Sequence, residues 1–177
     1  MKSSDNPSDS PVWGNVFRSF ISQKEHSKVD IISRIPIFKD LSRKELRIVA
    51  DILYDRGYET GEDVFITDQP GAAMFIIKSG KVQILIDGQD GNQTQIALLD
   101  EGDFFGEIAL LDNSPRSATA RAATKTELLA IFRADLDKLM HNEPYIAARI
   151  IKQLAIVIGI RLKETNRQLG NLKASTS

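Results

Sequence analysis

The spacing of apolar residues changes twice along the chain, and each change marks a different kind of secondary structure. Apolar side chains recur at helical spacing through residues 42–53, where Ser42 and Glu45 form a capping-box signature. From Tyr54 the pattern shifts to short runs rich in Val, Ile and Phe, separated by glycine turns. Many short strands at regular spacing predict a β-sandwich or β-roll. The predicted strands are DVFI, MFIIKSG, KVQILID, TQIALLD, SATARAAT and ELLAIFR.

Helical spacing returns after the last strand and predicts a pair of helices. The shorter helix covers Ala134–Met140. The longer helix opens near Asn142, a favourable N-cap residue, with Pro144 in its first turn, and it runs to about Leu169. The order of elements is therefore helix, β-roll and helix pair, within one domain.

The long C-terminal helix is apolar on two sides. One side can pack on the β-roll and consists of Ile146, Ile150, Leu154 and Val157. The other side alternates steps of four and three residues, as a coiled-coil seam does, and consists of Ile151, Ala155, Ile158, Leu162, Thr165, Leu169 and Leu172. A second apolar side predicts a partner helix, and a homodimer is the simplest solution. A helix that is merely buried within its own chain is the alternative.

Composition and charge narrow the functional classes. Of the 177 residues, 42% are hydrophobic and 27% are charged, as in an ordinary globular domain. A formal net charge of -1 predicts no overall attraction to nucleic acid or anionic lipid. The absence of cysteine excludes disulfides, iron–sulfur clusters and thiol chemistry, and two histidines cannot supply the metal centre of a cupin-type enzyme.

The chain carries no sign of export or membrane insertion. Its N-terminus is polar, and the longest apolar run, Leu154–Ile160, is far shorter than the roughly 20 residues of a membrane span. We therefore expect a soluble, cytoplasmic protein with no membrane contact. The pattern divides the chain into a disordered tail (1–11), an N-terminal helical segment (12–33), the β-roll (34–142), the C-terminal helix (143–172) and a short tail (173–177).

The segment Phe104–Ala122 carries the candidate chemistry. Gly106 lets the backbone turn tightly, and residues 107–111 can form one helical turn whose free N–H groups point at an anion. Arg116 supplies a guanidinium, the group best shaped for paired hydrogen bonds to phosphate. The carboxylate of Glu107 can accept a hydrogen bond from a ribose hydroxyl. Together these groups predict a cradle for a sugar phosphate.

The same segment, FFGEIALLDNSPRSATARA, closely resembles the phosphate-binding cassette of the cyclic-nucleotide-binding family, F-G-E-(I/L)-A-L followed by P-R-(S/A/T)-A-T. PIFKDLS, the turn at Gly61 and MFIIKSGKV are similar to that family as well, so the resemblance runs from about Ile31 to the end of the chain. It implies a mainly β fold with flanking helices, in which a jelly-roll-like β-roll (a double-stranded β-helix) is followed by a long C-terminal dimerisation helix. It also implies a cyclic nucleotide ligand, cyclic AMP before cyclic GMP, with no metal and no cofactor.

The resemblance implies a role for each site residue. Glu107 is expected to bind the ribose 2'-hydroxyl and Arg116 the cyclic phosphate. The remaining ligand contacts are expected from Phe105, from the backbone of Gly106, Ile108 and Ala109, and from the Ser117 hydroxyl and the Ala118 N–H. Because a serine hydroxyl can also contact a guanine amino group, Ser117 leaves both cyclic AMP and cyclic GMP open.

The segment RLKETNRQLGNL is similar to the dimerisation helix of the catabolite activator protein family. There a Thr-Ser or Thr-Asn pair reaches the purine, one residue from each subunit, which implies that Thr165 and Asn166 contact the base. In that family a hinge and a helix-turn-helix domain follow, whereas this chain stops at NLKASTS, so we do not expect direct DNA binding. We interpret the basic residues of the helix as a solvated face: Lys152, Arg161, Lys163, Arg167 and Lys173.

Three functions remain open at this point. The first is a stand-alone homodimeric sensor of a cyclic nucleotide that signals through an unidentified partner protein. The second is the sensor fragment of a transcription factor of the catabolite activator protein family. The third is an interaction module that keeps the fold without a ligand. No nucleophile–base pair, metal cluster or carboxylate dyad supports an enzyme, so we expect a non-catalytic protein.

Overall fold

The computed structural model describes residues 28–88 and 91–175. The predicted disordered tail, 1–11, lies outside these ranges, and so does most of the predicted helical segment 12–33. The last part of that segment is helical over residues 28–32. At the other end, the helix that was expected to give way to a tail at 173 continues to residue 175.

Helical structure precedes the first strand. A short 3-10 turn, Pro36–Phe38, leads into helix α1, Arg43–Asp51. The Glu45 N–H donates to the Ser42 hydroxyl at 3.4 Å, and the Ser42 N–H donates to the Glu45 carboxylate at 2.7 Å. The predicted capping box is therefore confirmed, and it sets the residue at which α1 begins.

Within the described residues, eight strands form two antiparallel sheets of four strands each. The strands are β1 (Tyr54–Tyr58), β2 (Asp63–Phe65), β3 (Ala73–Ser79), β4 (Val82–Asp87), β5 (Gln93–Leu99), β6 (Phe104–Phe105), β7 (Thr119–Ala122) and β8 (Thr126–Phe132). Their order is β1-β8-β3-β6 in one sheet and β2-β7-β4-β5 in the other. The predicted mainly β fold with flanking helices is confirmed. Strands β1 and β6 were not predicted, because β1 (YDRGY) has no apolar run and β6 has only two residues.

Strand β3 separates two apolar cores, because both of its faces are covered. Met74 and Ile76 face the helices and belong to the core between the helices and the first sheet. Phe75 and Ile77, which alternate with them, face the second sheet and belong to the core between the sheets. The second core supports the cavity described below.

Three helices follow or interrupt the sheets: α2 (Ile108–Leu111), α3 (Arg133–Asn142) and α4 (Pro144–Ser175). The prediction that Asn142 caps the long helix is wrong, because Asn142 ends α3. The N–H of Glu143 donates to the Leu139 carbonyl at 2.8 Å and closes α3, so that Pro144 begins α4. Within the described ranges, none of the helices combines the length and the apolar run that a membrane crossing requires.

One side of α4 packs on the body of the domain as predicted. Its residues pack into the helix-side core: Ile146, Ile150, Leu154 and Val157. The predicted seam lies on another side, where Leu162 is 59% exposed in the single chain. The side chains of Leu169 and Leu172 lie outside the described ones. The coiled-coil seam therefore stays a prediction.

Candidate functional site

A cavity of about 660 Å³ opens between the β4–β5 hairpin, the segment around α2 and the second half of α4. Its walls are formed by Phe65, Ile84, Ile96, Ala97, Leu99, Phe105, Gly106, Glu107, Ile108, Ala109, Ser114, Pro115, Arg116, Ser117, Ala118, Ile160, Arg161, Glu164 and Thr165. Nine of the ten predicted site residues are in this set. Asn166 is exposed and does not line the cavity, although Thr165 beside it does.

Arg116 lies deep in the cavity wall, with only 8% of its surface exposed. Its Nη2 donates to the Ala73 carbonyl at 2.8 Å and its Nη1 to the Gly106 carbonyl at 3.3 Å. The guanidinium lies 3.9 Å from the centre of the Phe65 ring, a cation–π contact. Its Nε is buried without a hydrogen-bond partner among the described residues. A buried donor without an acceptor is costly, so the site is suited to receive one.

The charge of Arg116 has no partner carboxylate among the residues that the structure describes. Burial lowers the pKa of its guanidinium, because desolvation disfavours the charged form, and the nearby charge of Arg133 lowers that pKa further. The arrangement therefore favours an anionic ligand at this end of the cavity.

Local backbone structure places Arg116 at the cavity. Its N–H donates to the Gln69 carbonyl at 2.9 Å, and its carbonyl accepts from the Asp68 N–H at 2.9 Å. Gly106, on the facing segment, has φ of 72°, a conformation that side-chain-bearing residues rarely adopt. A Cβ added there would lie 2.8 Å from Arg116 Nη1. Glycine at 106 is therefore required both for the turn and for the close approach of the arginine.

Glu107 lies immediately before α2 and is almost completely buried, with 6% exposed. Its Oε1 accepts from Nη1 of Arg161 on α4 at 2.7 Å. The turn that follows is closed by the Leu110 N–H, which donates to the Glu107 carbonyl at 3.0 Å. As predicted, one short helical turn follows Gly106, and the first N–H groups of such a turn have no partner within it.

Arg161 connects α4 to the cavity, and sequence reasoning missed it. Its Nη2 donates to the Phe104 carbonyl at 2.9 Å, and its guanidinium lies 4.7 Å from the centre of the Phe104 ring. Arg161 is solvated, as interpreted, with 44% of its side chain exposed, but it also lines the cavity and is hydrogen-bonded to Glu107, which the sequence did not indicate. Arg167, by contrast, pairs on the helix surface with Glu164 at 2.7 Å.

The opposite wall of the cavity is apolar. It is formed by side chains of the β4–β5 hairpin and of α4: Ile84, Ile96, Ala97, Leu99 and Ile160. In the sequence these residues look like ordinary strand and helix positions, so no local signal marks them as cavity residues. The hydroxyl of Thr165 donates to the Arg161 carbonyl at 3.0 Å, which leaves the lone pairs of its oxygen available on the cavity side.

The cavity thus combines a buried guanidinium, a buried carboxylate on a tight turn and an apolar wall, which suits a small anion with a sugar and a flat ring. Comparison with known proteins decides the family. A family sequence model described as "Cyclic nucleotide-binding domain" matches residues 55–143. The chain belongs to the cyclic nucleotide-binding domain family.

Relatives of this cyclic nucleotide-binding domain occur in different regulators. The chain is 35% identical over 134 residues to the cyclic AMP receptor protein of Thermus thermophilus. The aligned region covers 76% of the chain and 60% of that protein. It is 30% identical over 140 residues to the cAMP-dependent protein kinase regulatory subunit of Yarrowia lipolytica, covering 72% of the chain and 36% of that protein. The chain therefore spans less than two thirds of the length of either relative.

The fold agrees with a solved member of the family. The crystal structure of the Thermus thermophilus catabolite activator protein matches with a TM-score of 0.70 and 34% sequence identity, over 78% of this chain and 63% of that one. The cassette residues 105–118 fall inside the range matched by the family, whereas Arg161 and Thr165 of α4 lie beyond it. No cluster of three or more potential metal-ligating side chains is found among the described residues of the domain.

Proposed function

We propose that this domain is a non-catalytic sensor that binds cyclic AMP in the cavity, assembles as a homodimer through α4 and signals through a partner protein. The observation that carries the proposal is Arg116, a buried guanidinium whose Nε has no acceptor among the described residues. A cyclic phosphate supplies the missing acceptor and the missing negative charge in one group.

The phosphate is proposed to lie between Arg116 and the start of α2. The guanidinium is proposed to donate to one side of the anion, while the backbone of Gly106, Ile108 and Ala109 borders the other side, where the Ala109 N–H also donates to the Gly106 carbonyl at 3.3 Å. The Ser117 hydroxyl and the Ala118 N–H complete this phosphate site, and Phe105 lines the cavity beside it. The apolar core between the sheets lies behind these groups and excludes water, which strengthens each charged hydrogen bond.

The ribose is proposed to bind Glu107. One carboxylate oxygen of Glu107 already accepts from Arg161, and a carboxylate has further lone pairs that can accept from the 2'-hydroxyl. Arg161 then has an orienting role, because its second amino group is fixed to the Phe104 carbonyl.

The apolar wall and Thr165 support adenine over guanine. Since the Thr165 hydroxyl donates its proton to the Arg161 carbonyl, its oxygen is an acceptor toward the cavity. The 6-amino group of adenine can donate to that oxygen, whereas guanine carries an acceptor oxygen in the same position. The names of the two relatives described above also refer to cyclic AMP.

The dimer is proposed from the side of α4 that the domain leaves exposed, where Leu162 lies in the predicted seam. Asn166 does not line the cavity of its own chain, so in such a dimer it is available to the base in the partner's cavity. A second candidate function is that of the sensor region of a longer regulator. It is favoured because the match covers only 60% of the length of one relative and 36% of the length of the other. In either case the output is proposed to pass through protein contacts and not through DNA binding by this domain.

Calorimetric titration with cyclic AMP, cyclic GMP and cyclic di-GMP tests the proposal. We expect cyclic AMP to bind most tightly, and Arg116→Ala to weaken it by about 30-fold to several thousand-fold, the cost of leaving a buried charge unpaired. The matched control is Arg121→Ala, which removes an arginine that is paired with Asp63 and lies outside the cavity. Near-normal affinity of a folded Arg116→Ala protein, or tighter binding of another nucleotide, would overturn the proposed site or the proposed ligand.

A further inference from the structure

Arg133 does not line the cavity, but it is hydrogen-bonded to backbone carbonyls directly behind the proposed phosphate site. It is the first residue of α3, and its Nε donates to the Ala109 carbonyl on α2 at 2.8 Å. Its Nη2 donates to the Gly71 carbonyl, and its backbone N–H donates to the Ala72 carbonyl at 2.8 Å. One side chain therefore joins α2 to the loop that precedes β3.

Local physical chemistry disfavours an arginine at this position. A cation in the first turn of a helix opposes the helix dipole, and the N-cap residue Phe132 offers no side-chain hydrogen bond. Arg133 also lies close enough to Arg116 for the two charges to repel, an effect second to burial in lowering the pKa of Arg116. Because the helix dipole and the charge of Arg116 both disfavour an arginine here, we expect its hydrogen bonds to serve another part of the site.

The surroundings of Gly71 show how closely the loop before β3, helix α2 and Arg116 approach one another. A Cβ added at Gly71 would lie 2.8 Å from the Cβ of Ala109 and 3.3 Å from Nε of Arg116. The backbone of this loop therefore contacts both α2 and the phosphate-binding arginine, and the Gly71 carbonyl that Arg133 holds belongs to the same contact.

We propose that Arg133 is a positioning residue for phosphate recognition: it clamps the carbonyls of Ala109 and Gly71 so that α2 and Arg116 meet the anion as one rigid unit. The inference rests on the proposed function for the identity of its ligand, whereas the contacts of Arg133 with α2 and the Gly71 loop do not depend on a ligand. Because Arg133 begins α3, and α3 is followed directly by α4, the clamp also ties the phosphate site to the helix that carries Arg161 and Thr165.

Hydrogen exchange of the ligand-free protein tests the clamp without any nucleotide. The reporters are the N–H groups of Ala109, Leu110 and Asp112, which donate to carbonyls within and just before α2. Arg133→Ala should speed their exchange by about tenfold, because α2 loses its anchor to the Gly71 loop. Arg121→Ala, a loss of a structural arginine elsewhere, should leave these three rates unchanged. Equal rates in wild type and Arg133→Ala would overturn the clamp.

Calorimetry then tests the consequence for binding. Arg133→Ala should raise the Kd for cyclic AMP by about 10- to 100-fold, with the same factor for the 2'-deoxy analogue, because the clamp acts on the phosphate side. Arg133→Lys keeps the charge but reaches only one carbonyl, so it should keep a wild-type unfolding midpoint while its Kd stays raised by about fivefold or more. A Kd within threefold of wild type in a folded Arg133→Lys protein would overturn the positioning role. If wild type bound no cyclic nucleotide, the proposed function would fail, and with it the phosphate role, while the exchange rates would still decide the clamp.

Discussion

The two halves of α4 form one continuous helix but are held in different ways. In the first half, Ile146, Ile150 and Leu154 are buried in the helix-side core. In the second half, beyond Gly159, the large apolar side chains Ile160 and Leu162 are mostly exposed. The first half is thus part of the folded body, whereas the second depends on whatever it contacts at the cavity or in a partner chain.

Polar contacts sharpen the difference. Arg149 in the first half is bonded to the carboxylate of Glu45 and to the Asp40 carbonyl, and Gln153 is bonded to the Asp40 carboxylate. The pKa of Glu45 is lowered first by the Ser42 N–H and then by Arg149, so the carboxylate that caps α1 also anchors α4. In the second half, Arg161 donates to the Glu107 carboxylate and to the Phe104 carbonyl, and these bonds tie this part of α4 to the body of the domain.

Stability and ligand affinity are therefore expected to depend on different parts of α4. Changes in the first half should act mainly on the free energy of unfolding, because they alter a buried core. Changes in the second half should act mainly on the affinity for the nucleotide, because the contacts there are few and border the cavity.

The largest expected effect is that of Leu154→Ala in the first half. Leu154 is fully buried, so its truncation leaves a cavity and should lower the free energy of unfolding by about 2–5 kcal/mol. The matched control is Leu162→Ala in the second half, where a mostly exposed leucine should cost less than about 0.5 kcal/mol in the monomer. Urea unfolding of both variants at low protein concentration gives the measurement. Similar losses for the two would mean that the halves are not held differently.

The next effect is that of Arg161→Ala on binding. Loss of this partly exposed charged hydrogen bond to Glu107 should weaken cyclic AMP by about 5- to 30-fold, with a change in unfolding free energy of less than about 1 kcal/mol. The control is Lys163→Ala, which removes an exposed cation on the same helix that does not line the cavity. It should change the Kd by less than about twofold.

The 2'-deoxy analogue of cyclic AMP shows whether the loss of affinity in Arg161→Ala arises at the ribose. Because Arg161 orients the carboxylate that is proposed to bind the 2'-hydroxyl, Arg161→Ala should weaken 2'-deoxy cyclic AMP less than it weakens cyclic AMP. Equal losses for the two ligands would show that Arg161 holds α4 in place without acting on the ribose.

The same contrast explains what the sequence could predict. The phosphate-binding cassette can be recognised from the sequence because Gly106, Glu107 and Arg116 lie within one short segment at a characteristic spacing. The buried side of α4 was also predictable, since helical periodicity reports burial in a chain's own core. Both signals are local, and neither requires knowledge of how distant segments meet.

Arg161 could not be recognised in this way. Along the helix it looks like Lys163 and Arg167, and its distinction lies in Glu107, which is 54 residues away in the sequence. The apolar wall was missed for the same reason: Ile96 and Leu99 belong to a hairpin whose approach to α2 is set by sheet topology. Thr165 and Asn166 were inferred from the resemblance to a dimerisation helix in which such a pair reaches the base, one residue from each subunit. Within a single chain only Thr165 lines the cavity, because neighbouring residues of a helix point in different directions.

A smaller effect on affinity is expected where the second half of α4 is proposed to meet a partner chain. Leu162→Glu places like charges opposite one another in the proposed seam, so sedimentation should show a monomer. The Kd for cyclic AMP should then rise by about 3- to 10-fold, because the contact from the partner's Asn166 is lost. A monomeric Leu162→Glu protein that binds as tightly as wild type would mean that the base is bound within one chain.

The Thr165→Ala variant distinguishes contact with the base from a role in the dimer seam. It removes the oxygen that is proposed to accept from adenine while leaving the seam apolar, so the dimer should persist as cyclic AMP weakens by a few-fold. Loss of the dimer in this variant would assign Thr165 to the seam and not to the ligand.

The smallest expected effect, and one of opposite sign, is that of Gly159→Ala at the junction of the two halves. Glycine inside a helix costs about 1 kcal/mol relative to alanine, and a Cβ at this position meets no atom within 4 Å. If the second half of α4 is ordered only by weak contacts, alanine lowers the cost of ordering it against the cavity. The Kd for cyclic AMP should then fall by about two- to fivefold, and the thermal midpoint should rise by about 1–3 °C. Gly170→Ala is the matched control, because Gly170 also lies in α4 with open space around it but past the cavity-lining residues. It should leave the Kd unchanged, and a raised Kd in Gly159→Ala would show instead that α4 must bend at this glycine for the nucleotide to bind.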